Sequence, residues 1–115
     1  MSNPFSKGMD AGPELSVEQV KEKLGELKLI DVRRPDEFVG ELGHIRGATL
    51  VTIETDLENY LDKLPKDATY AFVCRSGARS FTATQMALDK GFEKVFNMKG
   101  GMLAWNASGF EVEKK

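Results

Sequence analysis

Four short runs, at residues 29–32, 49–51, 70–73 and 95–97, are mostly apolar and partly β-branched, and none alternates strictly with polar residues. A strand with one wet face alternates, whereas a strand covered on both faces does not. The runs therefore fit strands of a parallel sheet clothed by helices. Helical patterns fall between them. Ser16 with Gln19 has the spacing of a capping box, and Leu15 with Val20 that of a hydrophobic staple, predicting a helix over 17–24 that Gly25 ends. Pro35 opens a short helix over 35–39. Thr55 and Glu58 make a second capping box for a helix over 55–64, with Leu57, Tyr60, Leu61 and Leu64 on one face. A further helix is expected from Arg79 or Ser80 to Lys90, stopped by Gly91, and a last one over 102–107. Strands alternating with helices imply an α/β domain with a mainly parallel sheet and right-handed crossovers.

The chain has 115 residues, enough for one compact domain and too few for two separate cores. Residues 1–13, rich in Ser, Asn, Gly and Pro, read as a flexible tail, and 14–115 as the folded unit. Basic residues number 16 and acidic ones 18, interspersed, for a net charge of −2. Such a balance offers neither nucleic acid nor a membrane surface an electrostatic footprint. No apolar run approaches the ~20 residues that span a bilayer, and the first residues lack the pattern of a secretory signal. The expectation is a cytoplasmic protein.

The chemistry centres on the only cysteine. Cys74 closes the run 70–73 and is followed by Arg75, Ser76, Gly77, Ala78 and Arg79, after which the helical pattern begins. A thiol at a strand end facing a helix N-terminus meets several inward N–H groups, and Gly77 permits the backbone angle that such a turn needs. The amides, the helix dipole and the guanidinium groups of Arg75 and Arg79 all favour the thiolate. A persulfide anion needs the same donors. The plainer alternative is a buried core cysteine flanked by surface arginines.

Four ordered motifs resemble the rhodanese family: LIDVRRPDEF, GHIRGA, FVCRSGARS and FNMKGGMLAW. The resemblance spans about residues 15–110 and implies a rhodanese-like three-layer domain, with a central sheet of about five strands flanked by helices. It further implies a sulfurtransferase in which Cys74 accepts sulfur from a donor such as thiosulfate and passes it, as a persulfide, to a thiol or cyanide. Arg75, Ser76, Gly77, Ala78 and Arg79 would complete the sulfur-binding loop, and Asp31 and Arg33 would support it. No cofactor or metal is required. With no second cysteine to resolve the persulfide, the acceptor must be external, a small thiol, cyanide or a partner protein. Neither nucleic acid nor membrane is expected as a partner.

Two departures bear on the donor. Ser76 stands where two-domain thiosulfate enzymes carry a Lys, and Glu37 lies near the position of an Arg, so polysulfide or a protein persulfide stays open beside thiosulfate. Phosphatases and arsenate reductases of similar fold have one residue more between the Cys and the Arg, which makes that activity the lesser enzymatic alternative. A noncatalytic interaction or anion-binding module is the alternative of another class. Around the loop, Arg33 has two open readings: support of the loop, or a local ion pair with Glu37. His44 is read as a turn histidine satisfied by backbone rather than a partner of Cys74, Gly100 and Gly101 as a tight turn rather than a close approach to the active loop, and Trp105 with Met102 and Leu103 as core rather than a substrate mouth.

Overall fold

The structure is a computed structural model that describes residues 13–115; the tail reading of residues 1–13 falls, up to residue 12, outside the described residues. Five strands form one sheet: β1 (Glu14–Leu15), β2 (Lys28–Asp31), β3 (Thr49–Leu50), β4 (Tyr70–Val73) and β5 (Val95–Met98). Their order is β1-β5-β4-β2-β3, and every pairing is parallel. Parallel pairing requires crossovers, and these carry the helices α1 (Val17–Glu22), α2 (Pro35–Phe38), α3 (Leu57–Lys63) and α4 (Ala78–Asp89), while α5 (Gly101–Ala107) follows the last strand.

Side-chain alternation along β4 divides the core in two. Tyr70, Phe72 and Cys74 face a cluster with Leu57 and Leu61 of α3 and Ala83 and Ala87 of α4. Ala71 and Val73 face the opposite cluster, with Val17 and Val20 of α1 and Met102 and Trp105 of α5. All four residues of β4 are buried, which is why the run shows no polar alternation. The strand ends at Asp31, Val73 and Met98 lie along one edge of the sheet, and the loops beyond them meet there. Cys74 is the first residue past the central strand on that edge.

Local signals explain most boundaries. The Ser16 capping box forms: Gln19 N–H donates to Ser16 Oγ at 3.1 Å, and Ser16 N–H to Gln19 Oε1 at 2.9 Å. The Thr55 box does not form. Thr52 O collects the N–H groups of Asp56 and Leu57 at 2.9 and 3.2 Å, so the chain makes a turn there and α3 starts two residues later. The strand β1 has no counterpart among the apolar runs. Leu15 belongs to it, buried against Val20, while Asn97 N–H donates to Pro13 O at 3.0 Å and Lys99 N–H to Leu15 O at 2.9 Å. Among the described residues no helix is long and apolar enough to cross a membrane.

Candidate active site

Between β4 and α4 the chain turns through Cys74, Arg75, Ser76 and Gly77, and Gly77 takes the left-handed angle φ +106° as it caps α4. The turn wraps the Cys74 side chain, and the residue is only 1% exposed. Two polar groups reach its sulfur: Gly77 N–H, which donates at 3.0 Å, and the Ser80 hydroxyl at 3.2 Å. The first is the amide that the loop was expected to supply. The second comes from the residue just past the predicted loop.

The opposite side of the turn is held by α5. Met102 N–H donates to Cys74 O at 2.8 Å and Leu103 N–H to Arg75 O at 3.0 Å. Each peptide is planar and trans, so a carbonyl tied to α5 sends the next amide the other way. The N–H groups of Arg75 and Ser76 therefore point away from α5, and among the described residues they have no acceptor. They remain available to an anion at the loop.

This contact requires glycine. Gly101 sits at φ +61°, and a Cβ there would lie 2.5 Å from Arg75 O and 2.6 Å from Cys74 O. The Gly100–Gly101 pair thus makes a turn and also brings α5 against the loop, so the plain tight-turn reading covers half its role. Met102 and Trp105 are core residues as expected, 0% and 2% exposed, whereas Leu103 is not, at 40%, because it falls on the outer face of α5.

Beneath the thiol runs a buried polar chain. Ser80 O–H donates its single proton to Asn97 Oδ1 at 2.5 Å, so toward Cys74 the hydroxyl presents its oxygen unless that proton turns, and Asn97 Nδ2 donates to Gly77 O and Glu14 Oε2, both at 3.3 Å. One amide thus ties together β1, β5 and the floor of the turn. Sequence reasoning missed both Ser80 and Asn97. The available signal was a lone amide inside an otherwise apolar run, since a buried side-chain amide must find partners.

The two loop arginines differ. Arg79 forms a bidentate pair with Glu37 of α2, at 2.7 and 2.8 Å. These bonds hold the Glu37 carboxyl at about 2, well below its ordinary 4.5, against the opposing effect of burial. They are also the main cause that raises the Arg79 pKa, to which the negative charge of Cys74 adds. The Arg75 side chain is exposed, and among the described residues it has no ion-pair or hydrogen-bond partner.

Asp31 and Arg33 form a separate buried pair. Arg33 donates to both Asp31 oxygens, at 2.8 and 2.7 Å, and to Gly43 O at 2.7 Å. The reading that pairs Arg33 with Glu37 is overturned: Asp31 is closer along the strand edge, and Glu37 is taken by Arg79. The Arg33 carbonyl accepts the Thr52 hydroxyl at 2.8 Å, so the pair braces the segments at 43 and 52, and it makes no direct hydrogen bond to residues 74–79. His44 is satisfied locally, as expected. Its Nδ1 lies 2.8 Å from Phe38 O, its ring stacks on Phe38 at 3.7 Å, and its backbone pairs with Glu113. Among the described residues no cluster of three or more His, Cys, Asp or Glu could hold a metal ion.

The sequence model of the rhodanese-like domain matches residues 16–108, four fifths of the chain and every element around the thiol. The chain belongs to the rhodanese-like domain family. "Putative sulfurtransferase YtwF" of Bacillus subtilis is 42% identical over 95 residues, covering 80% of this chain and 88% of that protein. A protein of Allochromatium vinosum named "Sulfurtransferase" is 29% identical over 102 residues, covering 86% and 92%. Among solved structures, the human single-domain sulfurtransferase TSTD1 superposes with a TM-score of 0.75 at 26% identity, covering 84% of this chain and 96% of that one. The rhodanese-like fold and relatives named as sulfurtransferases together support a sulfurtransferase.

Proposed function

We propose that the protein is a sulfurtransferase that carries sulfane sulfur as a persulfide on Cys74. The observation that carries the reading is the buried thiol at the end of β4, with Gly77 N–H on its sulfur, the Ser80 hydroxyl beside it and two further amides unused. In the first half-reaction the Cys74 thiolate attacks the outer sulfur of a donor. A Cys74–sulfur bond forms, the donor's own bond to that sulfur breaks, and the donor remnant leaves with the electron pair; from thiosulfate the remnant is sulfite. In the second half-reaction an external thiol or cyanide attacks the terminal sulfur, and Cys74 leaves as thiolate.

Each residue has a role consistent with its placement. Gly77 N–H stabilises negative charge on Cys74 sulfur, both before attack and when it departs, and the Ser80 proton joins it by turning from Asn97 Oδ1 to the sulfur. The Arg75 and Ser76 amides serve the terminal sulfur, and Arg79 borders the loop with its charge held by Glu37. Ala78 opens α4 with only a methyl group at the approach. Asp31 and Arg33 support the loop indirectly, by fixing the strand edge from which it springs. No cofactor or metal takes part, and we place the reaction in the cytoplasm.

Intact mass spectrometry before and after incubation with thiosulfate or polysulfide tests this, with Cys74→Ser as control. The expected result is a gain of one sulfur atom that cyanide reverses and the control lacks. Failure to load sulfur from either donor would defeat the reading and leave a noncatalytic binding loop.

A further inference from the structure

The second loop arginine is occupied. Arg79 is 28% exposed and Glu37 18%, and both guanidinium nitrogens at its fork are committed to the two carboxylate oxygens. A bidentate pair of this kind fixes both side chains and cancels their charges at any distance greater than their own separation. Beside the loop, a groove of about 210 Å³ runs between Arg75 and the α2 segment, lined also by Asp36, Glu37, Glu41 and Leu42. Its charges balance. Arg33 is cancelled by Asp31, Arg79 by Glu37, and Arg34 stands 3.3 Å from Asp36, which leaves the unpaired Arg75 against Glu41. Glu54 adds a further negative charge on the Arg79 side.

Resting on the sulfur-transfer reading, we infer that Glu37 sets the charge selectivity of the loop. By holding Arg79 it keeps the mouth near electroneutrality and directs Cys74 toward sulfane donors of low charge, persulfides of neutral thiols, rather than dianions such as thiosulfate. A dianion approaching the mouth gains little from a balanced set of charges, while its desolvation cost is the full cost of two charges. A thiol-derived persulfide presents one charge, located on the sulfur to be transferred, and the loop amides meet it directly. Its chemistry at Cys74 is balanced: the new Cys74–sulfur bond forms as the donor sulfur–sulfur bond breaks, and the donor thiol leaves with the electron pair. Glu37 touches neither donor nor sulfur in this account and acts through Arg79 as a positioning residue.

The test compares two donors on the full chain, thiosulfate and the persulfide of 2-mercaptoethanol, reading the rate of sulfur gain by mass spectrometry at low and high salt. In the wild type the thiosulfate rate should change little with salt, because no net charge attracts the dianion. Glu37→Gln, which keeps the shape and removes the charge, should raise the thiosulfate-to-persulfide rate ratio about tenfold at low salt, and added salt should erase the gain. A purely structural role would move both donors together and leave the salt dependence alone. The inference is overturned by an unchanged ratio in Glu37→Gln, or by a wild-type thiosulfate rate that already falls steeply with salt. The wild-type salt series decides the matter even where the variant folds poorly. If neither donor loads Cys74, the sulfur-transfer reading fails and this inference with it; if both load and the ratio stays fixed, only the selectivity role of Glu37 is lost.

Discussion

Replacing Gly101 by alanine places a methyl group where backbone already stands. Two costs add. At φ +61° any residue with a Cβ sits in the left-handed region, which costs about 1–2 kcal/mol. The new carbon would also lie within 2.6 Å of Cys74 O and of both carbonyl atoms of Arg75, all of them backbone that no rotamer change can move. Overpacking of this type costs about 1–3 kcal/mol, and the Met102 and Leu103 bonds to the loop are strained with it. Gly109→Ala is the matched control. It shares the positive angle, φ +78°, but nothing lies within 4 Å of its added Cβ. The difference between the two variants isolates the clash, about 1–3 kcal/mol, and for a domain of this size each kcal/mol is worth about 4–8 °C in melting temperature. Thermal unfolding followed by the fluorescence of buried Trp105 should therefore place Gly101→Ala at least several degrees below Gly109→Ala. Sulfur loading should fall in the first and persist in the second. Equal melting temperatures would refute the claim that α5 holds the loop by close backbone contact.

Other perturbations test the remaining supports. Glu37 is held at about 2 against an ordinary 4.5, so its contribution is complete above pH 4.5 and is lost as the pH falls toward 2; the interval corresponds to about 3 kcal/mol at most. Partial exposure of the pair reduces this to about 1–2 kcal/mol, and Glu37→Gln should flatten the acid limb of a stability-against-pH curve by that amount. Asp31→Ala leaves the Arg33 guanidinium buried without its carboxylate, a loss of about 3–5 kcal/mol in urea unfolding. Ser80→Ala strips the hydroxyl beside Cys74 sulfur and the donor to Asn97 Oδ1; about 1–3 kcal/mol of stability should go, and sulfur loading should slow while Cys74 remains the residue modified.

The α/β architecture was legible because β4 is buried on both faces and β2 and β5 nearly so, and their runs carry that burial as mostly apolar sequence without strict alternation. Cys74 and its loop were legible for a related reason: a strand, a cysteine, a glycine turn and a helix are contiguous, so their spacing survives in one dimension. What stayed hidden depends on contacts between distant segments. Glu37 reaches Arg79 across 42 positions, and nothing local distinguishes it from any other acidic residue in a helix. The two-residue β1 is too short to show a pattern, and its pairing is supplied by β5 at the other end of the chain. The Thr55 box had the right residues and failed because Thr52 O takes the Asp56 and Leu57 N–H groups, so the chain is still turning where the box would have opened the helix.

The bond from Asn97 to Glu14 spans 83 positions, and this has a consequence for the order in which the molecule can be made. Closing so long a loop is entropically expensive and slow compared with forming helices, and β1 has no strand to pair with until β5 exists. The cup around Cys74 needs β5 for Asn97 and α5 for the bonds to Cys74 O and Arg75 O, so a chain emerging from the ribosome shows an ordinary, unprotected thiol until residue 103 is free. During that interval the future sulfur carrier is open to oxidation and stray disulfide exchange like any surface cysteine. Refolding followed by a thiol-blocking reagent would see Cys74 become protected as the last event, after the helical signal has already returned.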